Sequence, residues 1–339
     1  MKSIKSIRVG LIRCDTHGMW FGAQMDEHDP LLLRQPMPWD PKNRYTWQNA
    51  GVHYFFYTQY RAPWRMTARR VTGFRIVKVW DEDRKSAEAF SRVFHGRPEV
   101  CDTFEAVSNE VDLVFVSDCN GDGSDHLRLA APGLKKGVPT FIDKPFANSV
   151  RDTRAILKLA KRHRAPVMSL SILQVNPDTA RIRNRLDELG KVSFGTIAGC
   201  STHWAGLIHA ISVAHHVFGA GIRTVRCLRA PSHTAIHLDY GDQPDRPEHG
   251  VMINCDVESR FTGLFVCAYG PEGALQGPAL DDFKSSEGSA VILEHIKRMV
   301  KTGKPHALSG EMVTAIAVAE AIRKAEQTGK PIRVATEMD

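Results

Sequence analysis

The stretch that most limits what this chain can become is residues 111–147, VDLVFVSDCNGDGSDHLRLAAPGLKKGVPTFIDKPFA. Val111, Leu113, Phe115 and Val116 form a short, nearly continuous apolar run, the pattern of a strand covered on both faces. Leu127 to Lys136 has helical spacing and stops at Gly137. Val138 to Ile142 is a second buried strand, and it delivers Asp143-Lys144-Pro145 at its end. In an open parallel sheet, ligands collect at the carboxyl ends of the strands. Lys144 and the loop Ser117 to His126 are therefore expected to share one crevice. A lysine in such a place stays charged and orients a ligand, or loses its proton if desolvated.

The chain has 339 residues, enough for two domains with separate cores. It contains no apolar run of about 18 residues, so no membrane span is expected. The opening MKSIKSIRVGLI enters a strand too soon for a signal peptide. Seven cysteines are scattered without a CxxC pair. That argues against a zinc ribbon or a disulfide framework and for a reducing cytoplasm. A net charge of +7 suits an anionic cofactor or a sugar acid. No basic stripe with interleaved aromatics marks a nucleic-acid partner.

At Asp143-Lys144-Pro145, with His126 closing the preceding loop, the chain resembles the glucose–fructose oxidoreductase / inositol dehydrogenase / MocA (Gfo/Idh/MocA) family of nicotinamide-dependent enzymes. The resemblance covers nearly the whole chain apart from an insertion near residues 28–70. It implies an α/β fold: an N-terminal Rossmann doubly wound parallel sheet, then an α+β domain with a large, mostly antiparallel sheet. The expected division is 1–150 for cofactor and 151–339 for substrate and subunit pairing. The last helices, Val291–Thr302 and Glu311–Thr328, could pack back on the first domain. A homodimer or homotetramer through the second sheet is implied.

Ile7 to Ile12 reads as the first strand, followed by Arg13-Cys14-Asp15-Thr16-His17-Gly18 and a helix from Met19 to Asp26. A dinucleotide fold places its phosphate-cradling glycines here. In register, the first glycine is Arg13, the second is Asp15, and the third survives as Gly18. Asp15 would repel pyrophosphate, and Arg13 could compensate by pairing with it. A plain strand-to-helix turn is the alternative. Arg13, Thr16, His17 and Gly18 are the cofactor candidates from this loop.

The insertion is rich in aromatics, with His53-Tyr54-Phe55-Phe56-Tyr57, Tyr60 and Trp64 able to line a sugar site or simply to pack. Phe74–Trp80 is the second strand, ending in Asp81, where a carboxylate would bond the adenosine ribose and disfavour a 2′-phosphate. That favours NAD over NADP; a helix cap is the alternative. Asp118 to His126 superficially resembles a calcium loop but has Leu129 where a bidentate Glu belongs, so no metal is expected. The family runs this loop along the nicotinamide side. Asp118, Asn120 and His126, with Asp143 and Lys144, complete the cofactor candidates.

The second half of the expected active site is the helix opening near His203. The family's Asp-x-x-x-His maps onto Ala205 and His209, so the histidine is present without its aspartate. His209 could take a proton from a substrate hydroxyl, with Lys144 bonding the same oxygen or positioning the carboxamide end of the cofactor and His203 partly replacing the missing aspartate; a packed core histidine is the alternative. The implied activity is hydride transfer between NAD and a secondary alcohol of a sugar, inositol or sugar derivative. A redox-neutral lyase or epimerase with tightly bound NAD, or a binding protein that kept the fold, are the alternatives.

Overall fold

The computed structural model describes residues 6–35, 46–59, 61–119, 121–200, 204–230, 233–256 and 263–335. They form two compact units, one of residues 1–144, 155–169 and 289–306, the other of 145–154, 170–288 and 307–339.

The first unit is built on strands β1 (Ile7–Ile12), β2 (Phe74–Trp80), β3 (Glu99–Val100), β4 (Leu113–Val116), β5 (Thr140–Ile142) and β6 (Val167–Met168). Their order across the sheet is β3-β2-β1-β4-β5-β6, all pairs parallel. This is the doubly wound order that the family resemblance implies, with the switch point between β1 and β4. β4 and β5 are buried at every residue, which is why they read as continuous hydrophobic runs. Crossovers include α1 (Thr16–Met25), α2 (Pro30–Arg34), α3 (Val52–Phe56), α4 (Arg84–Val93), α5 (His126–Lys135) and α6 (Val150–His163).

Two helix starts are set by side chains. Asp15 caps α1, its carboxylate accepting from the Gly18 N–H at 2.8 Å. Asp83 caps α4 through the Lys85 N–H at 3.1 Å. The first cap explains why α1 begins at Thr16, one turn before the apolar periodicity becomes visible at Met19. Gly137 closes α5 at φ 75°, as its position implies.

The insertion is not a bare loop. Its α3 packs on α1, with Phe56 fully buried and its ring 4.6 Å from that of Trp20. Tyr57 bonds His28 at 2.7 Å and stacks on His53. Tyr54 and Trp64 remain exposed. Tyr60 lies outside the described residues.

The second unit contains α7 (Pro177–Asn184), β7 (Phe194–Cys200), α8 (Trp204–Phe218), β8 (Thr224–Ala230), β9 (His233–Asp239), β10 (Val251–Asp256), β11 (Phe265–Gly270), β12 (Gly273–Gln276), the start of α9 (Asp282–Thr302), α10 (Ser309–Thr328) and β13 (Ile332–Arg333). The sheet order is β12-β11-β7-β10-β9-β8-β13, antiparallel except for the β7–β10 pair. The expected large, mostly antiparallel sheet is therefore present. Helix α8 is buried along almost its whole length and packs on α7, α10 and strands β7 and β10. His215 on α8 is buried, and its Nε2 has no partner among the described residues.

Helix α7 gives way after Asn184 to a 3₁₀ turn at Leu186–Leu189, closed by Gly190. The third strand is short, Glu99–Val100. One boundary differs from expectation. Helix α9 starts nine residues earlier than Val291, because Ser285, Ser286 and Ser289 are buried polar residues that mask its apolar stripe.

Gly10 in β1 carries a direct test. A Cβ there would meet the Val107 carbonyl oxygen at 2.4 Å. Gly10→Ala is expected to destabilise the first unit by about 1–3 kcal/mol, read as a lowered midpoint in chemical denaturation.

Candidate functional site

The carboxyl rim of the first sheet gathers charged side chains into a cleft of about 290 Å³, lined by Arg13, Asp15, Thr46, Asp81, Asp118 and Cys119 among others. All but Thr46, which belongs to the insertion, come from the turn after a strand, where the fold places binding groups.

Arg13 stands where the first glycine of a phosphate loop belongs, and its backbone keeps the left-handed conformation, φ 71°. Its guanidinium lies 3.3 Å from Asp118 and 3.3 Å from Glu82, and it also bonds Asp125. Burial opposes its charge, but these three carboxylates outweigh burial and hold it firmly protonated. Asp118 also accepts from His126 at 3.0 Å and from the Gly121 N–H at 2.5 Å. Burial pushes the Asp118 carboxyl up; His126 and Arg13 more than reverse this, to about 2.

Asp15 aligns with the second glycine. Beyond capping α1, it accepts from the Cys119 N–H at 2.6 Å, tying the helix start to the loop after β4. Burial raises its pKa against the pull of His17 and the two N–H donors, which lessens its expected repulsion of a phosphate. Gly18 keeps the third glycine's role: a Cβ would meet the Arg13 carbonyl at 2.5 Å. Thr16 is buried in the first turn of α1.

Asp81 follows β2 on the cleft wall. Its carboxylate accepts from the Cys14 N–H at 2.7 Å and the Asp83 N–H at 2.9 Å, and burial pushes its pKa up to about 6 despite them. The cap of α4 is Asp83, so Asp81 is left facing the cleft.

Asp143 is 1% exposed and bonds three ways: from the Asp118 N–H at 3.3 Å, from the Lys144 N–H at 2.8 Å, and to His17 Nδ1 at 2.5 Å. Lys144 is itself buried, its Nζ donating to the Cys119 carbonyl at 2.8 Å. The structure thus brings Arg13, His17, Asp118, Asp143 and Lys144 together around one loop. Asn120 lies outside the described residues.

Asp118, Asp125 and His126 present ligand atoms within 4.8 Å of one another. Arg13 already bonds both carboxylates, so the positive charge there is supplied by the chain.

In the second unit, His209 Nδ1 lies 2.6 Å from Ser171 Oγ. Ser171 Oγ also accepts from the Leu173 and Gln174 amides at 3.3 and 3.4 Å, so the hydroxyl that meets Nδ1 is itself fixed in place. Ser171 fills the orienting role that the sequence leaves open at Ala205. It stands 38 residues before His209, and no periodicity links the two. His203 lies outside the described residues.

A doubly wound parallel sheet with ion pairs crowded on its carboxyl rim, and a second, mostly antiparallel sheet, define a two-unit α/β protein. Residues 50–170 match the Gfo/Idh/MocA family, described as an oxidoreductase family with an NAD-binding Rossmann fold. The resemblance carried by Asp143-Lys144-Pro145 therefore holds. No curated protein matches the chain by sequence. Among solved structures, myo-inositol 2-dehydrogenase from Lactobacillus plantarum is 11% identical, with a TM-score of 0.72 and coverage of 98% of this chain and 100% of that one. Myo-inositol dehydrogenase from Lactobacillus casei, in complex with NAD(H) and myo-inositol, is 13% identical, with a TM-score of 0.69 and 98% of each chain covered. An oxidoreductase from Agrobacterium radiobacter, in complex with NAD+, L-tartaric acid and magnesium, is 15% identical, with a TM-score of 0.67 and coverage of 97% of this chain and 98% of that one. At these identities the likeness establishes the fold.

The residues fit a dinucleotide at the ribose end, through Asp81, and at the close helix–strand approach of Gly18. At the pyrophosphate end the α1 N-terminus is taken by Asp15, and Arg13 is the group left to bond phosphate.

The raised pKa of Asp81 sets a test. Its stabilising share is fully present below its unfolded value near 4 and is lost as pH rises through about 6. Relative to Asp81→Asn, the wild type should lose on the order of 2 kcal/mol between pH 4 and pH 7. Paired thermal denaturation across that range measures it, and a constant offset from the altered hydrogen bonds does not affect the trend.

Proposed function

We propose that this protein is an NAD-dependent oxidoreductase acting on a secondary alcohol of a sugar, inositol or related polyol. The observation that carries the reading is Lys144, buried at the end of β5 on the rim of a parallel sheet whose sequence matches an NAD-binding oxidoreductase family. Bound inositol and tartaric acid in two structures of like fold make a polyhydroxylated substrate the reasonable class.

In this reading Asp81 takes the adenosine ribose hydroxyls and disfavours a 2′-phosphate. Arg13 exchanges part of its carboxylate bonding for the pyrophosphate, a charge-assisted pairing that guanidinium geometry suits. The nicotinamide, when bound, supplies the hydride acceptor. Lys144 orients the reacting oxygen, and its ammonium stabilises negative charge building there. His209, its ring held at Nδ1 by Ser171, takes the hydroxyl proton as the neutral imidazole and returns it as the imidazolium in the carbonyl-reducing direction.

One observation favours a second reading, a binding protein that kept the fold without the chemistry: Asp15 occupies the helix N–H that a phosphate would use. A single measurement separates them. NADH titrated into the purified protein should show enhanced fluorescence and bind at least tenfold more tightly than NADPH. Absence of binding by either at millimolar concentration overturns the NAD reading. Given binding, Lys144→Ala should cost about a hundredfold or more in turnover on any polyol that reduces NAD+.

A further inference from the structure

Behind His209 runs a chain of hydrogen bonds that ends on a carboxylate of another helix. Ser171, which meets His209 Nδ1 at 2.6 Å, opens the sequence Ser171-Ile172-Leu173-Gln174. The spacing is that of a capping box, and the two end residues close it reciprocally. Ser171 Oγ accepts from the Gln174 N–H at 3.4 Å, and Gln174 Oε1 accepts more loosely from the Ser171 N–H at 3.5 Å. The box encloses a turn over 172–175, and α7 begins only afterwards, at Pro177. What it produces is a hydroxyl fixed against α8.

The Gln174 amide is anchored from outside the turn. Its Nε2 donates to Glu311 Oε2 at 3.0 Å, across 137 residues of sequence. The polarity of this link is forced. A backbone N–H only donates, so the amide oxygen must face Ser171, and the amide nitrogen is left for the carboxylate. Ser171 and Gln174 are both fully buried, where solvent does not replace a lost bond.

Glu311 lies in the first turn of α10, and its main chain meets α8 as well: its carbonyl oxygen is 3.3 Å from His215 Nδ1. One residue thus ties α10 to α8 directly at His215 and, through Gln174 and Ser171, at His209. A carboxylate in a first turn is favoured by the helix dipole whatever it touches. That general role asks only for charge. Holding Gln174 asks for an acceptor oxygen at one place.

We propose that Glu311 is a positioning residue for His209: its carboxylate fixes the Gln174 amide, the amide closes the box on Ser171, and the Ser171 hydroxyl holds the imidazole. The proposal rests on His209 being the proton-handling group, but the contacts themselves require neither cofactor nor substrate. Because an acceptor oxygen does the work, Glu311→Gln keeps it and Glu311→Ala loses it.

The test is nitrogen-15 NMR of the full-length protein labelled at histidine, at about pH 8, where an ordinary imidazole is neutral. The His209 ring is assigned by its loss in His209→Gln. In the wild type its two nitrogens should report one dominant tautomer, and Glu311→Gln should keep it. Glu311→Ala and Gln174→Ala should move both nitrogens toward the tautomer mixture of free imidazole. On any polyol that reduces NAD+, Glu311→Ala should lower kcat about tenfold and leave the KM for NAD+ unchanged, with kcat restored in Glu311→Gln. A ring that keeps its tautomer in Glu311→Ala, or loses it equally in Glu311→Gln, overturns the proposal. If the alanine variants fail to fold, Glu311→Asp decides. It keeps the first-turn charge but draws the acceptor back by one methylene, so the ring should loosen, and a ring unchanged from wild type overturns the proposal. Failure of the NAD reading shows separately, as absent NADH binding with the ring spectrum unaffected.

Discussion

The rim of the first sheet depends on one buried carboxylate, that of Asp15. It bonds the Gly18 amide and so starts α1, and it bonds the Cys119 amide and so fixes the loop after β4. Buried acceptors must be matched with donors, and this one takes donors from two segments about a hundred residues apart in sequence. The cost of desolvating it appears as its raised pKa. With α1 and the β4 loop held together, His17 meets Asp143 and Lys144 meets the Cys119 carbonyl.

The fold was readable because its strongest signals are local. β1, β4 and β5 are largely buried, and such strands appear as short apolar runs whose length and flanking turn residues separate them from a buried helix. Stops such as Gly137 and Gly329 work through backbone conformation alone and so remain visible in sequence. The site was readable in part. Lys144 and Asp81 are placed by the ends of strands, which the pattern supplies. The partnership of Arg13 with Glu82, Asp118 and Asp125 was not, because it joins three separate turns that only the sheet order brings together. Ser171 escaped for the same reason: a hydroxyl before a helix looks like any other until His209 is folded against it.

Two positions where a phosphate loop would carry glycine hold charged residues, and at one of them, Arg13, the backbone adopts the left-handed conformation that favours glycine. Arg13 holds a left-handed φ at a cost of about 1 kcal/mol, and its ion pairs make that conformation worthwhile. The loop is thus better described as a salt-bridged variant of a strand-to-helix turn than as a damaged one. A pyrophosphate entering it would compete with carboxylates for a cation, whereas glycine loops offer bare amides.

His215 has a consequence for the other unit. It sits sealed between α8 and α10, neutral, with burial pulling its pKa down to about 4. As acidity increases through the range from 6.5 to 4, the unfolded chain takes up a proton there that the packed helices refuse, a difference on the order of 3 kcal/mol. Souring of the medium therefore loosens this helix pair, so a packed region of the second unit carries an acid-sensitive contact.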